Sequence, residues 1–207
     1  MPRGPFNRLC LIALIVACYG CASVASTQTA RPYTEAERAF HQNPQWRGGD
    51  AALSIALGPG RVLWLFGDSF IAPQADQRRA ASTLVRNSIA LQTGTDLSDA
   101  SMQFVWRRSP DGSFASFFSE PDAHWYWPGH GVRLDRGPLV VFLYEIEATP
   151  GEGLGFRTSG YAVALIDNPD SPPEHWVPRI VVGPAMPFDA VPATAVVGER
   201  DYVVALA

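Results

Sequence analysis

The sequence predicts an all-β fold, β-propeller-like, built from repeated four-stranded antiparallel blades. Three observations predict it. Glycine and proline stand at 18 each in 207 residues, the usage that many short strands joined by tight turns require. Past Trp46 the apolar residues fall in alternation or in short runs bounded by turn residues, a strand pattern rather than a helical one. The order of those runs then recurs about every 60 residues, as radial repetition of a four-stranded unit demands.

Taken in order, residues 51–57 (AALSIAL) form a strand, Gly58-Pro59-Gly60 a turn and residues 61–66 (RVLWLF) the antiparallel partner, which makes a hairpin. Residues 87–92 (NSIALQ) and 103–107 (QFVWR), on either side of the turn-rich segment 93–101, complete a first sheet. The second sheet runs through residues 131–134, a turn at 135–137, then 139–146 (LVVFLYEI), 160–166 (GYAVALI) and 176–182 (WVPRIVV). A third begins with 193–197 (ATAVV), turns at 198–200 and continues along 202–206 (YVVAL). Two and a half blades are expected. Five blades of this period need about 300 residues, so the expectation is a five-bladed fold truncated in this sequence. A sandwich or barrel with irregular loops is the other architecture these strands allow.

Ahead of the strands, Arg3 and Arg8 precede residues 9–17 (LCLIALIVA), a charge-free apolar run too short to remain as a membrane span. Residues 1–20 are read as a signal peptide. All three cysteines, Cys10, Cys18 and Cys21, lie in or beside that run, so the mature domain has no disulfide to draw on. Ile15-Val16-Ala17-Cys18 resembles the lipobox of bacterial lipoproteins, with Cys21 as a second candidate for the lipid. The expected location is the cell envelope, lipid-anchored to a membrane; a periplasmic or secreted protein is the alternative. Residues 21–45 are read as a polar linker in which residues 34–40 form a short helix capped by Thr34. The β domain then occupies residues 46–207.

The formal charge is −4, and all 16 basic residues are arginines scattered along the chain. A basic stripe interleaved with aromatics is missing, which argues against nucleic acid as a partner. There is no glycine-rich phosphate loop, zinc-ligand spacing or nucleophile elbow, and His41, His124, His130 and His175 are dispersed; no cofactor or metal is expected.

Three stretches carry a resemblance: Trp46-Arg47-Gly48-Gly49-Asp50-Ala51 with the later WLFGDSFI (residues 64–71), Asn87-Ser88-Ile89-Ala90, and Trp125-Tyr126-Trp127-Pro128-Gly129. Together they look like bacterial domain-of-unknown-function families with five-bladed propellers, similar in shape to the arabinanase and invertase class of glycoside hydrolases. The resemblance implies a funnel-shaped central site, with catalytic acids drawn from different blades, and transfers no activity.

In a propeller the first strand of each blade lines the channel, so polar residues at its start face a shared pocket. Asp50, His130 and Asp189 hold such positions. Asp50 follows two glycines that let the backbone bend and present the carboxylate, or it caps the turn. Asp68 ends an apolar run, where it faces the pocket or binds amides of the next loop. Glu145 and Glu147 share one face of a strand, as catalytic acid or as a solvated edge. Trp125, Tyr126 and Trp127 alternate in direction, so one of them belongs to the core, and Trp127 is placed at the rim, where an aromatic face suits a sugar ring. Arg78-Arg79 and Arg107-Arg108 suit acidic sugars or plain solvation. Where the resemblance leads one to expect a second-blade acid, the chain has His130, as acid–base group or loop histidine. Two functions follow. One is an envelope module binding a carbohydrate or other ligand through Trp127, His130 and Asp189. The alternative is a glycoside hydrolase using Asp50, Asp68 and Glu145 as its acids.

Overall fold

The computed structural model describes residues 30–75, 78–119, 123–135, 137–185, 190–199 and 202–207. The chain divides into two units, Met1–Tyr33 and Thr34–Ala207. In the first, the described residues 30–33 are exposed and without regular secondary structure; the signal peptide, Cys18 and Cys21 lie outside the described residues. Among the described residues no helix is long and apolar enough to cross a membrane.

The second unit is all-β, as the sequence predicts. After helix α1 (Thr34–Ala39) come β1 (Trp46–Gly58), β2 (Arg61–Ile71), β3 (Thr83–Val85), β4 (Ser88–Thr93) and β5 (Ser101–Val105). A small hairpin follows, β6 (Arg107–Arg108) and β7 (Phe114–Ala115). Next are β8 (His124–Arg133), β9 (Leu139–Ala148), β10 (Phe156–Ile166) and β11 (Arg179–Val182), then β12 (Ala195–Gly198) and β13 (Val203–Leu206). Sheet one runs β1-β2-β4-β5 with β3 also on β2, sheet two runs β8-β9-β10-β11, and β12 pairs with β13. Every pairing is antiparallel. The β1–β2 turn uses Gly58 and Gly60 at φ 127° and 66°, values a side chain rarely tolerates.

The strands differ from expectation mainly at their starts. β1 begins at Trp46 rather than at residue 51, and β8 at His124 rather than at 131. Both extensions run through bulges, with register shifts between Trp46 and Leu53 on β1 and between Pro128 and Gly131 on β8. A bulge breaks the two-residue alternation by which a strand is read from sequence. β11 is shorter than expected because Trp176 closes a 3₁₀ turn over Pro173–His175, and Pro178 has no backbone N–H to offer a ladder.

Sheet one is buried on both faces. Leu63, Leu65, Ile89 and Leu91 meet Leu139, Val141, Leu143, Ala162, Ala164 and Ile166 of sheet two, with Phe117 and Trp176 in the same cluster. Phe66, Ala90, Met102 and Phe104 pack on the other side with Trp46 and Ala39 of α1. Such burial contributes about 1.5–3 kcal/mol per large side chain. Just past α1, the Gln42 amide donates to Ala100 O (2.7 Å) and accepts from Met102 N–H (2.8 Å), pairing with the backbone at the β5 edge as a strand would. The two large sheets are also joined by the fully buried Asn87. Its side chain donates to Phe118 O and Tyr126 O at 3.3 and 3.0 Å and accepts from Phe118 N–H at 2.7 Å. The first strand of sheet two, β8, touches β1, β2 and β12.

Candidate functional site

The chemistry-bearing residues gather where the end of β2 meets the start of β8. β2 is apolar from Val62 to Phe66 and then passes through Gly67 to Asp68, a half-buried carboxylate between the buried Gly67 and Ser69. Asp68 accepts the indole N–H of Trp127 (Oδ1, 2.8 Å) and pairs with Arg86 (Oδ2, 3.2 Å). The Arg86 guanidinium lies 4.3 Å over the Trp125 ring, the cation–π arrangement favoured by an indole face. Trp127 and Trp125 each meet Phe156 edge-on, with ring centroids 4.9 and 6.4 Å away. Tyr126, between them in sequence, turns into the core and is 3% exposed. The alternation therefore sends two half-buried tryptophans one way and the tyrosine the other. Among the described residues, the Trp125 indole N–H is buried without an acceptor, a desolvation cost of about 1–3 kcal/mol.

Asp68 is thus held by an indole and a guanidinium rather than by amides of the next loop. Asp50 is exposed and joins the same cluster from β1. A Cβ on Gly67 would sit 3.6 Å from Trp127 Cδ1 and 3.8 Å from Asp50 Cβ, so Asp50 and Trp127 flank Gly67. The sequence places Asp50 ahead of its strand, whereas in the structure it lies inside β1, in the bulge. Ala51 and Ala52 beside it have φ of 75° and 66°, a conformation costing L-residues about 1–2 kcal/mol each. Behind the bulge a buried polar relay closes on Gly67. Trp46 Nε1–H donates to Ser88 Oγ (3.1 Å), the Ser88 and Ser69 hydroxyls are 2.8 Å apart, and Ser69 donates to Gly67 O (2.7 Å).

His130 also lies in a bulge, that of β8, but it is turned to the third hairpin. Its N–H donates to Ala193 O (2.7 Å) and its Nδ1 accepts from Val196 N–H (3.1 Å). The structure brings Asp50, Asp68 and Trp127 together and engages His130 with β12. Glu145 and Glu147 do share a face, and His124 lies between them, Nδ1 2.9 Å from Glu145 and Nε2 3.5 Å from Glu147. Arg157 also hydrogen-bonds Glu147. That bond, followed by the charges of Arg157 and His124, holds the Glu147 carboxyl below the usual carboxylate range. Burial, then the charge of Glu145, pushes the Tyr126 phenol up. Asp189 lies outside the described residues.

Two cavities flank these groups. One of about 490 Å³ is bordered by Arg86; another of about 670 Å³ is bordered by Glu147, Arg157 and Tyr161. Among the described residues no group of three or more His, Cys, Asp or Glu is placed to hold a metal ion. Sequence reasoning missed Arg86, Phe156 and the bridging role of His124. A signal existed for Arg86, a lone charge between the apolar Leu84-Val85 and the strand-opening Asn87-Ser88; Phe156, which opens β10 directly after a glycine-rich turn, gave none.

No curated protein matches the sequence. The family model described as "Domain of unknown function (DUF5005)" matches residues 34–200, from the first residue of α1 to just past β12. That match spans most of the chain, and with its all-β unit beginning at the same Thr34, this protein belongs to the DUF5005 family.

Proposed function

We propose that this chain is an exported, lipid-anchored envelope protein whose β domain is a propeller-type module that binds a glycan. The observation that carries the reading is the cluster around Asp68. Trp127 is fixed by a carboxylate at one edge and by Phe156 at its side, next to an exposed Asp50, and a pre-oriented indole beside polar groups suits a sugar ring. The propeller reading is supported by two meandering antiparallel sheets, of five and four strands, whose first strands are in contact, with β12 also against β8. The sequence resemblance to domain-of-unknown-function families that are similar in shape to arabinanase and invertase-type hydrolases points the same way. Export and anchoring rest on the N-terminal run and on Cys18 and Cys21.

Binding is favoured over hydrolysis because Asp68 is occupied by Trp127 and Arg86, Glu145 by His124, and the β8 bulge holds a histidine. Asp50 keeps the hydrolase as the second reading, since it is an exposed carboxylate beside the aromatic cluster. Calorimetry against a panel of neutral and acidic oligosaccharides, arabino-oligosaccharides included, tests both. Trp127→Ala is expected to weaken binding by about 1–3 kcal/mol while Asp50→Asn releases no fewer reducing ends than wild type. Reducing-end release that disappears in Asp50→Asn would establish the hydrolase, and a panel with no ligand would remove the glycan reading. The anchor is checked by fatty-acid labelling, expected to vanish when Cys18 and Cys21 are both replaced by Ser.

A further inference from the structure

We propose that the cavity between β3 and the β6–β7 hairpin is an oxyanion site that takes the carboxylate or sulfate of an acidic sugar. The saccharide part of this assignment rests on the glycan reading above; the oxyanion part does not. The cavity, about 490 Å³, is lined by Arg86, Arg107, Arg108, Ser109, Phe114 and Ser116 among others, and its described lining carries no carboxylate. That volume lies within the range of small-ligand pockets.

On the hairpin, Arg107 is half-buried and within reach of the Glu174 charge, while Arg108 has no charged partner among the described residues. Arg107 donates to the backbone carbonyls of Glu174 and Trp176 and lies over Phe117; Arg108 donates to Gly112 O at 2.8 Å and lies 4.6 Å over Phe114. Among the described residues neither forms an ion pair within 4 Å, whereas Arg86 is paired with Asp68. Carbonyls and ring faces orient a guanidinium without neutralising it, and each guanidinium has five N–H donors. The turn is fixed by Ser109 N–H to Ser113 O and Gly112 N–H to Ser109 O, so the donors are pre-positioned. Planar forks of this kind match carboxylate and sulfate oxygens. Arg86 belongs to both places: it borders the cavity and covers Trp125 of the aromatic cluster. A sugar ring on the tryptophans would reach Arg86, and through it the cavity, with its acidic group.

The test uses the mature protein, with sodium sulfate as the first probe against sodium chloride at equal ionic strength, then trigalacturonate against its methyl ester. Sulfate is expected to raise the Tm saturably at low millimolar concentration, beyond the general stabilisation that its exclusion from protein surface gives any variant, and trigalacturonate to bind about tenfold or more tighter than the uncharged ester. Arg108→Gln and Ser109→Asp, the latter placing a carboxylate at the cavity without touching the arginines, are each expected to abolish both effects with the far-UV circular dichroism unchanged. Sulfate and trigalacturonate responses that persist in both variants would overturn the site. A sulfate response without any saccharide binding would leave the oxyanion site standing and overturn its assignment to sugars. Equal binding of trigalacturonate and ester, lost in Trp127→Ala, would keep the glycan reading and remove the cavity proposal.

Discussion

β1 and β8 open the two large sheets and both bulge where a candidate residue sits, yet the bulges are filled differently. At β1 the space a Cβ on Gly49 would need is taken by its own sheet, with Ser69 Oγ at 2.7 Å and Phe66 Cβ at 3.1 Å. At β8 it is taken by its own sheet and by its neighbours together: Gly131 meets Val140 O of β9 at 2.2 Å and Ile55 of β1 at 2.8 Å, and Gly129 meets Ala193, just ahead of β12, at 2.6 Å. The first bulge bends a strand so that Asp50 stands free. The second brings three layers together, and His130 is spent on holding them. Equivalent positions in a repeat thus need not share a role: the one whose surroundings come from its own sheet alone is available to a ligand.

The comparison breaks first at Gly131. Gly131→Ala sets a methyl against backbone that cannot step aside, and we expect a loss of about 3 kcal/mol or more in urea unfolding. Gly67→Ala, whose Cβ would meet nothing nearer than 3.6 Å, is the control and should stay within about 0.5 kcal/mol. If the two cost the same, close approach of layers is not what the β8 glycine provides. A smaller effect is expected at the bulge side chains. His130→Ala leaves the Val196 N–H without its acceptor and should cost about 1–2 kcal/mol. Asp50→Ala removes an exposed side chain and should change stability least, by about 0.5 kcal/mol at most. Reversal of that order would mean that Asp50, not His130, is the structural member of the pair.

How much was legible follows the same line. Where alternation is intact, as in residues 61–66, 139–146 and 160–166, the sequence reads as strand and strand forms, although β2 runs on to Ile71, β9 to Ala148, and β10 begins at Phe156 ahead of a bulge at residues 158–160. Where backbone bulges, or a strand is only two residues long as in β6 and β7, periodicity has nothing to report. Asp68 and Trp127 were legible as residue types, a carboxylate at the end of an apolar run and an indole in an aromatic triplet. Their bond was not, because it joins positions 59 apart in sequence, and only the packing of β8 against sheet one brings them together. Arg86 and His124 were missed for that reason: each is defined by groups that other strands deliver.

Asn87 has a further consequence. Its amide is satisfied only while Phe118 and Tyr126 are both in place, so opening either sheet alone would strand buried donors and acceptors of the other. The two sheets should therefore open as a single cooperative unit. The Phe118 amide hydrogen, which points at the Asn87 side chain, should then exchange with deuterated solvent only when Asn87 parts from the segment that leads into β8, and its exchange rate becomes a gauge of how often that junction opens.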